Sequence, residues 1–126
     1  MLLKINFESD IPIYIQIKNQ VIHGIARGTL RPGEILPSVR QLASDIGINM
    51  HTVNKSYNLL KSEGYIVVDR RKGATVLPVR TTSDPVFKEE MTEDLMTLIA
   101  SSICKGLKEE EFIELSKDIF KDFSSK

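Results

Sequence analysis

Cysteine is scarce in this chain, and long apolar runs are missing altogether. Cys104 is the single cysteine among 126 residues, which excludes an internal disulfide and fits a reducing compartment. No apolar run approaches the roughly 18 residues that a membrane-spanning helix needs. We therefore expect a soluble cytoplasmic protein without a membrane partner. We also expect Cys104, which stands beside apolar residues, to be a small buried side chain.

Catalytic and cofactor motifs are missing as well. There is no glycine-rich phosphate loop, no zinc-ligand pair and no nucleophile with a plausible base. The two histidines, His23 and His51, are not spaced as metal ligands. The sequence therefore predicts that the protein is not an enzyme and uses neither a metal nor a cofactor.

The formal net charge is zero, but the charges are unevenly distributed. Residues 1–80 hold 11 basic against 6 acidic residues, a net charge of +5, and residues 81–126 hold 6 against 11, a net charge of −5. This asymmetry predicts a basic module that meets nucleic acid and an acidic module that does not. Composition divides the chain into a first domain (1–78), a linker rich in Thr, Ser and Pro (79–85) and a C-terminal module (86–126).

Residues 38–64 have the pattern of a helix-turn-helix, preceded by a helix over 12–27 that Asp10 is placed to cap. Ser38 with a glutamine three residues later forms a capping-box signature, and Gly47 suits the turn between the two short helices. Asn49 suits the start of the next helix, whose outer face is polar. An ordinary corner between two helices is the alternative interpretation.

A short basic hairpin is predicted directly after these helices. Two β-prone runs, 65–68 and 74–77, flank a turn-forming segment that carries Arg70, Arg71 and Lys72. An isolated basic run is usually a solvated loop, but at a hairpin tip beside a helix-turn-helix we favour phosphate or minor-groove contact. The fold class is therefore mainly α with a small β-hairpin wing (α+β).

Two further helices are predicted after the linker, each with an apolar stripe. A two-helix hairpin cannot bury both stripes alone, so it needs either the first domain or a second copy of the chain. We favour dimerisation, because the acidic hairpin follows a flexible linker and DNA readers of this size usually need paired half-sites. The predicted dimerisation residues are Met91, Leu95, Leu98, Ile99, Ile103, Phe112, Leu115, Ile119, Phe120 and Phe123.

The sequence resembles the GntR family of bacterial transcription regulators over residues 10–77. The resemblance is carried by Pro12-Ile13-Tyr14-x-Gln16-Ile17, by Gly28-Thr29-Leu30-Arg31-Pro32-Gly33-Glu34-x-Leu36-Pro37-Ser38-Val39-Arg40-x-Leu42-Ala43, and by Thr52-Val53, Tyr57, Leu60 and Glu63-Gly64. In length and helical pattern, the C-terminal module is similar to the tail of the YtrA-type subfamily. The resemblance implies a winged helix-turn-helix repressor that binds a two-fold symmetric operator as a homodimer, with transporter genes as targets.

The resemblance also completes the set of predicted DNA-contacting residues. Arg40 matches a DNA-contacting arginine of the family, and its guanidinium suits bidentate contact with guanine or phosphate. Met50 stands where many relatives have a polar residue, and it reads only apolar edges such as the thymine methyl. The predicted contacts are Ser38, Arg40, Asn49, Met50, His51, Thr52, Asn54, Lys55, Arg70, Arg71, Lys72 and Gly73.

Two further possibilities remain open from the sequence. A winged-helix adaptor that binds protein through the same surface, without DNA specificity, is the alternative function. An unidentified small-molecule effector would fit a hydrophobic gap between the tail and the DNA-binding domain.

Overall fold

The computed structural model describes residues 3–79 and 85–125. Over these ranges it contains the elements α1 (Ile13–Arg27), α2 (Val39–Ile46), α3 (Met50–Ser62), β1 (Ile66–Asp69), β2 (Gly73–Val76), α4 (Pro85–Cys104) and α5 (Glu109–Ser124). Five helices with one antiparallel hairpin confirm the predicted fold class. The chain divides into two compact units, Met1–Val79 and Arg80–Ser125. Most of the linker predicted for 79–85 lies outside the described residues, and Pro85 already begins α4.

A side-chain hydrogen bond marks the start of α2, whereas α1 begins without one. The Ser38 hydroxyl accepts a hydrogen bond from the Gln41 backbone N–H at 3.0 Å, as the capping signature predicts. The side chain of Gln41 does not point back to complete the box but donates to Asp45 Oδ1 at 2.7 Å. The prediction for Asp10 is wrong, because α1 begins after Pro12 with no side-chain cap.

The core of the first unit lies between α1, α2, α3 and the hairpin. Its largest fully buried side chains include Ile17 on α1, Leu42 on α2, Leu60 on α3 and Ile66 on β1. Burying a large aliphatic side chain contributes about 1.5–3 kcal/mol, so these residues fix how the helices pack. The rest of the buried apolar set is Val21, Leu30, Leu36, Ala43, Val53, Tyr57, Ala74 and Val76.

A short segment around Ile35 pairs with the hairpin, and the sequence did not predict this pairing. β1 and β2 pair antiparallel from Ile66↔Val76 to Asp69↔Gly73, and Ile35 forms a bridge with Thr75 on the other side of β2. Backbone hydrogen bonds continue the ladder, since the Gly33 N–H donates to the carbonyl of Val76 at 2.8 Å and the Leu36 N–H to that of Ala74 at 2.7 Å. The hairpin is therefore attached to the segment that leads into α2.

Two glutamines of α1 fasten the chain that precedes it. Gln16 Oε1 accepts from the Asn6 N–H at 2.9 Å, and its Nε2 donates to the carbonyls of Asn6 and Ile11 at 3.0 and 2.8 Å. Gln20 makes the same pair of bonds with the backbone of Lys4, at 2.9 and 2.7 Å. These amides supply the partners that a neighbouring strand would otherwise provide, which keeps an extended segment ordered against α1.

The second unit consists of α4 and α5, which are joined by a short turn. Gly106 has a φ of 85° in this turn, a conformation that suits glycine, and the Lys108 N–H donates to Glu111 Oε1 at 3.3 Å where α5 begins. No residue of either helix is buried. The expectation of a buried Cys104 is wrong, because the thiol lies at the exposed end of α4. None of the described helices is both long and apolar enough to cross a membrane.

Candidate nucleic-acid interface

The outer face of α3 begins with a row of polar side chains. Val53, Tyr57 and Leu60 are buried on the inner face and set the rotation of the helix. On the opposite side His51 and Asn54 are exposed, and helical spacing keeps both clear of the core. The first turn of α3 is therefore free to enter a groove.

The residues next to His51 and Asn54 differ in their exposure and in the chemical groups they present at the surface. Met50 is 45% exposed, so its thioether is available for apolar contact, whereas Thr52 is half-buried. The Asn49 side-chain oxygen accepts from the His51 N–H at 2.7 Å and caps the helix, which leaves the amide NH2 group as the donor that faces outward. Lys55 is exposed one turn after His51.

The N-terminus of α2 is the second part of the candidate interface, after the first turn of α3. Ser38 and Arg40 are both exposed in the first turn, where backbone N–H groups favour an anion. This turn is tied to α3, because the Tyr57 hydroxyl donates to the Pro37 carbonyl at 2.7 Å. Burial raises the pKa of Tyr57 well above its ordinary value, so the hydroxyl remains a donor throughout the physiological pH range.

The wing tip is the third part. Arg70, Arg71 and Lys72 are exposed in the turn between the strands, and the Arg71 N–H donates to Asp69 Oδ1 at 2.6 Å, which orders the turn. Gly73 opens β2 with a φ of 82°, a region that disfavours other residues. Three adjacent cations on a fixed turn make a strongly positive tip.

The segment 33–38 holds these three parts in one arrangement. Its backbone pairs with β2 of the wing, its Pro37 carbonyl accepts the Tyr57 hydroxyl of α3, and its last residue caps α2. The wing, α3 and the α2 N-terminus therefore keep a defined spacing, which a surface that binds a rigid ligand requires.

One contact at the edge of this surface was not predicted from the sequence. Lys55 Nζ lies 4.0 Å from the centre of the Tyr14 ring, and Ser56, which is fully buried, donates to the Tyr14 carbonyl at 2.7 Å. No sequence pattern indicates which residue of another helix Tyr14 contacts.

The predicted dimerisation residues lie on the exposed faces of α4 and α5. Ile103 is 67% and Phe120 76% exposed, and the least exposed of the predicted set, Phe112 and Phe123, are only half-buried. The remaining members, Met91, Leu95, Leu98, Ile99, Leu115 and Ile119, are between 37% and 55% exposed. Sequence analysis missed other exposed apolar residues in these helices, which a wider helical stripe would have included: Val86, Phe87, Met96 and Ile113.

A cavity of about 510 Å³ with both polar and apolar lining residues opens beside α1 in the first unit. Gln20, Arg27 and Glu34 are among the residues that line it. This cavity lies within the first unit, whereas the sequence analysis considered a gap between the tail and the DNA-binding domain for an effector.

Comparisons with known proteins concern the family and the fold of the chain that carries this surface. The family model of the bacterial regulatory proteins of the gntR family matches residues 13–76. The chain is 35% identical over 122 residues to the HTH-type transcriptional repressor YtrA of Bacillus subtilis, over 96% of this chain and 94% of that protein.

Solved structures extend the likeness to the whole chain. The crystal structure of a transcriptional antiterminator from Listeria monocytogenes EGD-e superposes with a TM-score of 0.92 at 29% identity, covering 100% of this chain and 95% of that one. The DNA-binding domain of AraR in complex with operator ORX1 superposes with a TM-score of 0.54 at 25% identity, covering 60% of this chain and 98% of that one.

Proposed function

Because the chain belongs to the gntR family of bacterial regulatory proteins, and is thus a DNA-binding transcription regulator, we propose that it represses transcription by binding a two-fold symmetric operator as a homodimer. The observation that carries the proposal is the exposed polar first turn of α3, flanked by the α2 N-terminus and the basic wing tip. Transporter genes are the proposed targets, as the sequence resemblance to the YtrA type implies.

The proposed contacts divide into those that position the protein and those that read sequence. Ser38, Arg40 and the amide groups at the start of α2 bind phosphate and set the register. Residues 49–55 read base edges in the major groove, with Met50 against a thymine methyl and Asn54 toward a base edge. The wing residues Arg70–Gly73 add charge against the backbone or the minor groove.

Dimerisation is proposed from the apolar faces of the second unit. Ile99 and Ile103 on α4 and Phe120 on α5 are exposed in the single chain, and several large apolar side chains exposed on two neighbouring helices support an interaction site. A second copy supplies a face of the same chemistry, and a two-fold axis then pairs two recognition helices about 34–36 Å apart, one turn of DNA.

The protein adaptor is the less favoured alternative, because the family and its repressor relatives act on DNA. The proposed site of action is the bacterial cytoplasm, where the operator is accessible. The small-molecule effector remains a prediction, and the cavity beside Gln20 and Arg27 is large enough for a compact ligand.

The test is selection of duplexes from a random pool by the purified full chain, followed by sequencing and by sedimentation of the complex. We expect one inverted repeat with half-sites about one helical turn apart and two chains per duplex. Enrichment of a single unrepeated half-site with one chain bound would overturn the dimeric model. Failure to retain any duplex at low salt would favour the adaptor.

A further inference from the structure

The first turn of α1 is hydrogen-bonded to α3, the proposed recognition helix. Ser56, the residue after Lys55, donates from its Oγ to the Tyr14 backbone carbonyl at 2.7 Å, and this bond holds α1 beside α3. The Tyr14 side chain then lies under Lys55, whose Nζ is 4.0 Å from the ring centre. An ammonium at this distance is attracted by the negative face of the ring.

An aromatic ring restrains a lysine without cancelling its charge. Lys18, on the same helix as Tyr14, provides the contrast, because its Nζ lies 2.8 Å from the Glu63 carboxylate. That pair has no net charge to offer a phosphate. Lys55 over Tyr14 keeps its full positive charge while its long side chain is held in one place.

The position of Lys55 suits contact with the DNA backbone. It follows His51 by four residues, so both lie on the exposed face of α3, and Lys55 is the one next to α1. A lysine side chain has large rotational freedom, and ordering it on binding lowers affinity. A ring that orders the side chain beforehand removes part of that loss.

We propose that Tyr14 is a positioning residue for DNA binding, whose ring aims the Lys55 ammonium at a phosphate beside the groove that α3 reads. This inference rests on the proposed function, since it assigns Lys55 to the DNA interface. Tyr14 itself was not among the residues predicted to contact DNA.

A double-mutant cycle on the full chain tests the proposal, with the duplex selected above as the probe. The dissociation constant is measured over a range of salt concentrations for the parent chain, Tyr14→Leu, Lys55→Ala and the double variant. Tyr14→Phe keeps the ring and is the conservative control. Lys18→Ala removes a lysine that is already paired. The Ser56 bond goes to the backbone of residue 14, so these side-chain changes leave it in place.

We expect Tyr14→Leu to weaken binding about three- to tenfold, the loss that ordering one long side chain produces. In the Lys55→Ala background the same substitution should have no effect. Lys55→Ala should reduce the slope of log affinity against log salt by about 0.9, the value for one phosphate contact. Tyr14→Leu should leave that slope nearly unchanged, and Tyr14→Phe and Lys18→Ala should bind like the parent.

Two results would overturn the proposal: unchanged affinity in Tyr14→Leu, or the same loss in the presence and absence of Lys55. The ring-current shift of the Lys55 ε-methylene protons in the parent chain gives a readout that needs no stable variant. Ordinary lysine shifts there would also overturn it. If the parent chain selects no duplex, the proposed function fails. If the parent chain binds DNA but the two substitutions show no coupling, only the proposal for Tyr14 fails.

Discussion

The two units of the chain differ in whether they bury their own apolar residues. Among the described residues of the first unit, which is the DNA-binding unit, twelve apolar side chains are buried and join three helices to a hairpin, so this unit has a core of its own. In α4 and α5 no residue is buried, although apolar residues recur along both helices. This difference supports the proposal that a second copy of the chain covers the apolar faces of α4 and α5.

Charge follows the same division. The net charge is +5 over residues 1–80 and −5 over residues 81–126. An acidic surface is repelled by phosphate, so this charge distribution suits the proposed arrangement, in which the second unit joins two copies and the first contacts the duplex. Substitutions can therefore be made in one unit at a time, and we expect different effects on dimerisation, stability and DNA binding.

Ile99→Asp combined with Ile103→Asp should have the greatest effect. Two carboxylates on the exposed apolar face of α4 would have to be desolvated in the proposed dimer, so we expect monomers. Loss of the second half-site contact should weaken operator binding by about 100-fold or more, since linked sites gain about 10²–10⁴ in affinity. Sedimentation and fluorescence anisotropy measure the two quantities.

Thr97→Asp combined with Ser101→Asp is the matched control for this variant. It adds the same two charges with the same spacing of four residues, at exposed positions on the other side of α4. We expect it to remain dimeric. Dissociation of both double variants, or of neither, would contradict the assignment of the interface to the apolar face.

Leu60→Ala should affect only the DNA-binding unit. Leu60 is fully buried, and its truncation should lower the free energy of unfolding by about 2–5 kcal/mol. Leu98→Ala is the counterpart in the second unit. It should change the free energy of unfolding of the DNA-binding unit by less than about 0.5 kcal/mol, because Leu98 is not part of that unit's core.

Tyrosine fluorescence during urea unfolding measures this difference. All three tyrosines, Tyr14, Tyr57 and Tyr65, lie in the DNA-binding unit, and the chain has no tryptophan, so the signal reports that unit alone. If Leu98→Ala lowered the tyrosine-detected stability as much as Leu60→Ala, the two units would unfold together and the contrast between them would be wrong.

Local patterns predicted much of the first unit. Ser38 and Asn49 are short polar residues at helix starts, and both accept the expected backbone hydrogen bond. The positions of Leu42 and Leu60 follow from helical spacing, which places them on inner faces. Such features depend on residues a few positions apart, so the sequence alone is sufficient to find them.

Contacts between distant segments were not predicted. Ile35 joins the sheet through backbone bonds, and Gln16 holds the N-terminal segment through its amide, neither of which leaves a periodic pattern. The contact between Tyr14 and Lys55 also depends on how two helices cross. The candidate DNA surface was therefore predicted as a set of residues, but the connections that hold its parts together required the structure.

Apart from the control variants, Arg71→Ala combined with Lys72→Ala should have the mildest effect. Removing two phosphate contacts at the wing tip should reduce the salt slope of DNA affinity by about 1.8, at about 0.9 for each contact. The loss should be equal for operator and random duplexes, because phosphate contacts do not read sequence.

Lys117→Ala combined with Lys121→Ala is the control, because it removes two exposed lysines of the acidic second unit, and it should leave the salt slope unchanged. Salt titrations by fluorescence anisotropy measure both, and equal slopes for the two variants would remove the wing from the interface, since only one of the two units is expected to touch phosphate.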